Sequence, residues 1–156
     1  MSSAENAQRG SFVLLQLAEG RFALPADLVA ELAPPVRLHS FPHTSRLLTG
    51  VILRRGRILP VYDAARALYG KGSLNHRFYL VARRRFGPTS EMSAIPVDGE
   101  CELITSEMNP APLTAPSYIC GEINAGDGLI GVLDFDALVG SHPEGGGSAD
   151  RVEPRP

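Results

Sequence analysis

The chain has 156 residues, 44% of them apolar, and a formal net charge of −2. That length suffices for one domain or two small subdomains sharing a core, and no stretch approaches the roughly 18 apolar residues that a membrane-spanning helix needs. Tryptophan is absent and aromatics are scarce, while sixteen glycines and thirteen prolines favour short strands between many turns over a helical bundle.

Taken in chain order, residues 1–10 are small and polar and read as a disordered tail. Neither the basic start nor the long apolar middle of a secretion signal is present, so a cytoplasmic protein is expected, with Cys101 and Cys120 as buried thiols. Residues 11–17 predict a strand and 21–25 its return, about a turn at Ala18-Glu19-Gly20 in which Gly20 supplies the positive φ. Residues 25–32 fit a short helix with Leu28, Val29 and Leu32 on one face, ended by Pro34-Pro35. Residues 36–48 form an extended connection. Residues 50–63 then read as two apolar strands folded about a turn that carries Arg54, Arg55 and Arg57. Because the strands must be buried, those guanidinium groups are held at a fixed place, as in a binding site. A short helix over 64–69 closes at Gly70. Residues 77–84 predict a strand, Gly87-Pro88 a turn and 92–97 the return strand. Pro110, Pro112 and Pro116 punctuate a long link. A last hairpin runs over 118–124 and 129–133 about Gly126-Asp127-Gly128, and residues 141–156 are expected to be a disordered tail.

The chain repeats itself. Gly50 lies thirteen residues before Asp63, and Gly121 lies thirteen before Asp134. Ile58-Leu59-Pro60-Val61-Tyr62-Asp63 stands at the same offset as Leu129-Ile130-Gly131-Val132-Leu133-Asp134, and a short helix ending in Gly follows each. Phe12-Val13-Leu14-Leu15 has a counterpart in Phe78-Tyr79-Leu80-Val81. Two copies are too few for a solenoid, and small units of about five strands commonly remove their exposed edges by closing into barrels. Laid on the second copy, Arg54, Arg55 and Arg57 meet Ala125, Gly126 and Gly128. The same hairpin therefore closes without arginine, and the cluster belongs to function rather than folding.

Charge is unevenly spread. Residues 37–85 hold ten arginines, one lysine and a single acid, Asp63, whereas residues 86–156 hold twelve acids against Arg151 and Arg155. Such asymmetry either coats exposed strand faces or selects partners electrostatically. No catalytic constellation emerges. His39, His43, His76 and His142 have no cysteine or carboxylate at metal-ligand spacing, and there is no phosphate-cradling loop and no nucleophile elbow. Asp63 and Asp134 each precede a helix and read as N-caps. Arg83-Arg84-Arg85 could face nucleic acid, but only Phe78, Tyr79 and Phe86 lie nearby as stacking platforms, and the acidic second half opposes phosphate. No metal, cofactor or small-molecule substrate is expected.

The pattern across residues 50–63, with Gly50-Val51, Arg55-Gly56, Pro60-Val61 and Asp63, resembles the CheW family of chemotaxis coupling proteins. The strands over 12–24, Val29-Ala30-Glu31-Leu32, Val97-Asp98-Gly99, Tyr118-Ile119-Cys120-Gly121 and the stretch 129–138 follow in the family's order. The chain departs from the family at Leu53-Arg54, where Asn-Leu is usual, and at Glu100, where an apolar residue is common. The resemblance implies an all-β fold with short helices, made of two packed five-stranded β-barrels. These would span about 11–76 and 77–140 within one domain over 11–140, with strand exchange between them left open. It implies a non-catalytic adaptor that joins the cytoplasmic tips of chemoreceptors to the regulatory domain of a CheA-type histidine kinase. It places receptor contacts at Arg55, Gly56, Phe78, Leu80 and Val97, where a groove would take a helical tip, and kinase contacts at Val29 and Glu31. A pilus-motility or other chemosensory pathway is the alternative output, and a nucleic-acid-binding double barrel the remote one.

Overall fold

A computed structural model describes residues 8–42, 47–70, 77–86, 89–126 and 128–140. Ten strands alternate with two short helices: β1 (Gln8–Leu17), β2 (Gly20–Pro25), β3 (Val29–Ala33), β4 (Leu48–Arg54), β5 (Arg57–Tyr62), α1 (Ala64–Tyr69), β6 (Phe78–Phe86), β7 (Thr89–Val97), β8 (Glu102–Pro110), β9 (Ile119–Asn124), β10 (Leu129–Leu133) and α2 (Phe135–Gly140). The helices start where the sequence placed their caps. Asp63 accepts from the Arg66 N–H at 3.3 Å and Asp134 from the Ala137 N–H at 3.1 Å, which satisfies backbone donors that have no partner within the helix.

The strands form two five-stranded sets that cut across the two sequence copies. One has the order β1-β2-β10-β9-β8, and its pairing returns to the start because β8 also lies antiparallel to β1. The other has the order β3-β6-β7-β5-β4 and is an open sheet whose edges are β3 and β4. The expectation of two packed five-stranded barrels is therefore overturned. The internal repeat shows why. In the second copy, β8 runs without a break into its pairing with β9, with Asn109 opposite Glu122 and Pro110 opposite Gly121. In the first copy the corresponding stretch is broken after Ala33 by Pro34-Pro35, which cannot donate to a ladder. Among the described residues, all that remains of the seam is a single bridge, in which His39 and Val51 exchange backbone hydrogen bonds of 2.8 and 2.9 Å.

Each set has its own apolar interior, and the two interiors correspond. Ile52, Leu59 and Val61 line the open sheet, and Ile123, Ile130 and Val132 occupy the equivalent places in the other set. A third, larger core joins the two sets through Leu15, Leu17 and Leu24 on one side and Leu80, Ile95 and Val97 on the other, with α1 and α2 packed over it. Asp98 adds a polar tie. Its N–H donates to the Gln16 carbonyl at 2.9 Å, and its carboxylate accepts from the Ala18 N–H at 2.5 Å.

Several local expectations change. Residues 25–32 are not a helix: a 3₁₀ turn at Ala26–Leu28 leads directly into β3, because β3 can bury one face against β6. The long link contains a full strand, β8, whose inward positions Ile104, Ser106 and Met108 alternate too weakly to mark it. The first turn places its positive φ of 56° on Ala18, while a Cβ at Gly20 would meet the Tyr69 hydroxyl and displace that side chain. β1 begins at Gln8, inside the expected tail. Cys120 is exposed and Cys101 half-buried, and burial pushes the Cys101 thiol up to about 11. The Gly87-Pro88 turn, Asp127, the tail 141–156 and His43, His76 and His142 lie outside the described residues.

Candidate functional site

The β4–β5 hairpin turns in two residues. Arg54 stands opposite Arg57 at its end, and Arg55 and Gly56 between them have φ of +54° and +75°, the left-handed pair that matches the twist of a tight hairpin. Gly56 adopts this at no steric cost, whereas Arg55 does not. Strand alternation then sorts the neighbours. Arg54 and Arg57 share the face of Ile52 and Leu59, while Leu53 and Ile58 stand opposite each other on the outer face, 60% and 70% exposed.

Facing this hairpin across the open seam is Glu31 of β3. Arg54 grips it with two hydrogen bonds, Nη2 to Oε1 at 2.9 Å and Nε to Oε2 at 3.2 Å, the bidentate geometry that gives arginine–carboxylate pairs their strength. Arg55 reaches the same two oxygens at 3.4 Å each. The side chains of Arg54 and Glu31 are 22% and 23% exposed, against 71% for Arg55. Hydrogen bonds from Arg54 first, then Arg55, hold the Glu31 carboxyl down at about 2, and the same bond raises the Arg54 guanidinium above its ordinary value. Between the edge strands lies a concavity of about 300 Å³ lined by Glu31, Arg54, Arg55, Arg57, Leu59, Val81, Met92 and Ala30. Three cations and one carboxylate rim it, and an apolar floor lies beneath. It exists because the seam between β3 and β4 does not close.

The residues singled out from the sequence fall into two places. Arg55, Gly56 and Glu31 come together here, so a receptor candidate and a kinase candidate share one ion-paired cluster. Phe78 pairs with Val97 across β6 and β7, and Leu80 and Val97 are fully buried in the core joining the two sets. Phe78 and Val29 are half-buried against that same core. Arg54, which the sequence placed in the arginine cluster without assigning it a partner, is the closest partner of Glu31. Its signal was the inward register it shares with Ile52, a place where a cation requires a carboxylate. The basic run at 83–85 is partly engaged, because Arg83 Nη1 donates to the Asp27 carbonyl at 3.1 Å and Arg84 is turned inward, 11% exposed. Among the described residues no group of three or more His, Cys, Asp or Glu is placed to hold a metal, and no helix is long and apolar enough to cross a membrane.

Two five-stranded sets joined by a shared core, with a charged cleft at one open edge, make up the fold that carries this site. The family model for the CheW-like domain matches residues 11–142, and the chain belongs to that family. It is similar to the crystal structure of the scaffolding protein TtCheW from Thermoanaerobacter tengcongensis, with 23% identity over 84% of this chain and 92% of that one and a TM-score of 0.71. No curated protein matches the chain. The chain is accordingly a non-catalytic adaptor of chemotaxis signalling that acts through protein–protein coupling.

Proposed function

We propose that this adaptor couples the cytoplasmic tips of chemoreceptors to the regulatory domain of a CheA-type histidine kinase. The receptor face is centred on the Arg55-Gly56 turn and extends to Phe78, with Leu80 and Val97 supporting it from the core. The kinase face lies on β3 around Val29 and Glu31. The observation that carries this reading is the hairpin and its internal control. The β9–β10 hairpin has the same register, with Gly121 opposite Val132 as Gly50 is opposite Val61, yet it carries Ala125, Gly126 and Gly128 where the first has arginines. The turn itself thus closes without guanidinium groups, and Arg55 holds a left-handed φ that glycine would take more easily.

Isothermal titration against receptor tip and kinase regulatory domain tests it. Both should bind with no added cofactor. Arg55→Glu should weaken receptor binding at least about tenfold, by placing like charge beside Glu31 and removing a donor. Its stability should stay within about 1 kcal/mol of the parent, the scale of an exposed ion pair. If Arg55→Glu unfolds the chain instead, the arginine is structural and the receptor face lies elsewhere.

A further inference from the structure

The carboxylate of Glu31 is claimed twice, and unequally. Arg54 satisfies both of its oxygens at 2.9 and 3.2 Å, while Arg55 stands at 3.4 Å from each. Arg55 is also the far more exposed of the two, at 71% against 22%. An exposed, long pair of this kind contributes little and is readily exchanged, whereas the bidentate, half-buried one is not. Arg57 is exposed and makes no ion pair among the described residues. Below them Leu59 and Val81 are 5% and 3% exposed, and among the described residues no aromatic side chain lines the concavity.

We propose that this concavity receives an acidic side chain of the partner protein flanked by an apolar one, and that Arg54 is the positioning residue that makes it available. Arg54 occupies Glu31, which leaves Arg55 and Arg57 as donors to the incoming carboxylate, while Leu59, Val81 and Met92 receive the neighbouring apolar group. The surplus of two positive charges in the rim draws such a segment in. The apolar floor, with no stacking platform, favours protein over single-stranded nucleic acid. This inference rests on the receptor-coupling reading above and assigns its chemistry.

The test follows from competition for one carboxylate. In Arg54→Leu, Arg55 is free to collapse onto Glu31, so affinity for the receptor tip should fall roughly five- to tenfold, the worth of one charge-assisted contact. Adding Glu31→Gln removes the competing acceptor, so the double variant should bind within about twofold of the parent. Replacing the tip's acidic residues with their amides should weaken parent binding and abolish its dependence on Arg54. Circular-dichroism melts of each variant accompany the titrations. If Arg54→Leu lowers affinity and Glu31→Gln fails to restore it while both variants remain folded, Arg54 contacts the partner itself and the positioning role is wrong. If the amide tip binds as tightly as the acidic one, the carboxylate assignment fails while receptor coupling stands. A parent that binds no tip at all overturns the coupling reading instead, and tighter binding of a single-stranded oligonucleotide than of the tip overturns both.

Discussion

Glu31 shows how much one side chain can gather in a sheet that does not close. It sits on an edge strand, and no backbone hydrogen bond links β3 to β4, so its contacts with Arg54 and Arg55 join the edges through side chains instead. The pH consequence has a definite sign. Because the folded carboxyl lies near 2 and the ordinary value is 4.5, the pair contributes fully above 4.5 and its contribution is lost as pH falls from there through 2. Glu31→Gln should therefore be less stable than the parent at neutral pH, and the difference should shrink steadily as urea midpoints are taken from pH 5 towards pH 2. A gap that stays constant over that range would mean the charge on Glu31 is irrelevant to folding. From the sequence, the three turn arginines were legible as a functional cluster, and the family resemblance selected Arg55 among them. The grip of Arg54 on Glu31 was not legible, since the two lie 23 residues apart and only the sheet brings them together.

At the scale of elements, hairpins joined by two to four residues were read well, because their turns and alternation are local. The two strands missed or mistaken, β3 and β8, each take a partner far away in the chain and belong to no tight hairpin. β3 pairs with β6 over Leu32–Leu80 and Ala33–Tyr79, and β8 pairs with β1 over Phe12–Ile104 and its neighbours. In both cases tertiary pairing decided against local preference. The repeated glycines mark where strands approach most closely. A methyl at Gly50 would lie 2.5 Å from the His39 carbonyl oxygen, on the one backbone bridge across the seam, whereas a methyl at Gly128 meets nothing within 4 Å. Gly50→Ala should then cost about 1–3 kcal/mol through enforced displacement, and Gly128→Ala should stay within about 0.5 kcal/mol. Paired denaturation curves decide it, and equal midpoints for the two variants would remove the seam from the account of stability.

For the whole molecule, topology sets some acids of the second half against arginines of the first. Because β1 and β2 join β8, first-half arginines meet second-half acids: Arg9 stands opposite Glu107 and Arg21 lies 3.7 Å from Glu102. Arg84 does the same at the junction of the two sets. Its guanidinium lies 5.1 Å from the Tyr62 ring centroid, 3.5 Å from Glu91 and 3.8 Å from Asp136 of α2, while Tyr62 meets Phe135 edge-on at 5.9 Å. Arg84→Met keeps the apolar stem but removes the charge. Glu91 and Asp136 are about two-fifths exposed and can rehydrate, so the loss should be about 1–2 kcal/mol rather than the 3–5 of a fully buried pair. A denaturant midpoint equal to that of the parent would show that Arg84 does not tie α2 to the open sheet.

The sequence by itself determined the all-β class with short helices, the internal repeat, the capping aspartates and the arginine hairpin, because each of these rests on residues close together in the chain. Only the tertiary structure decided which strands share a sheet, that Pro34-Pro35 leaves one set of strands unclosed, and that Arg54 rather than Arg55 has first hold of Glu31. Those outcomes depend on pairings between residues tens of positions apart. There the gain from burying an apolar face, not any local preference, selects the partner.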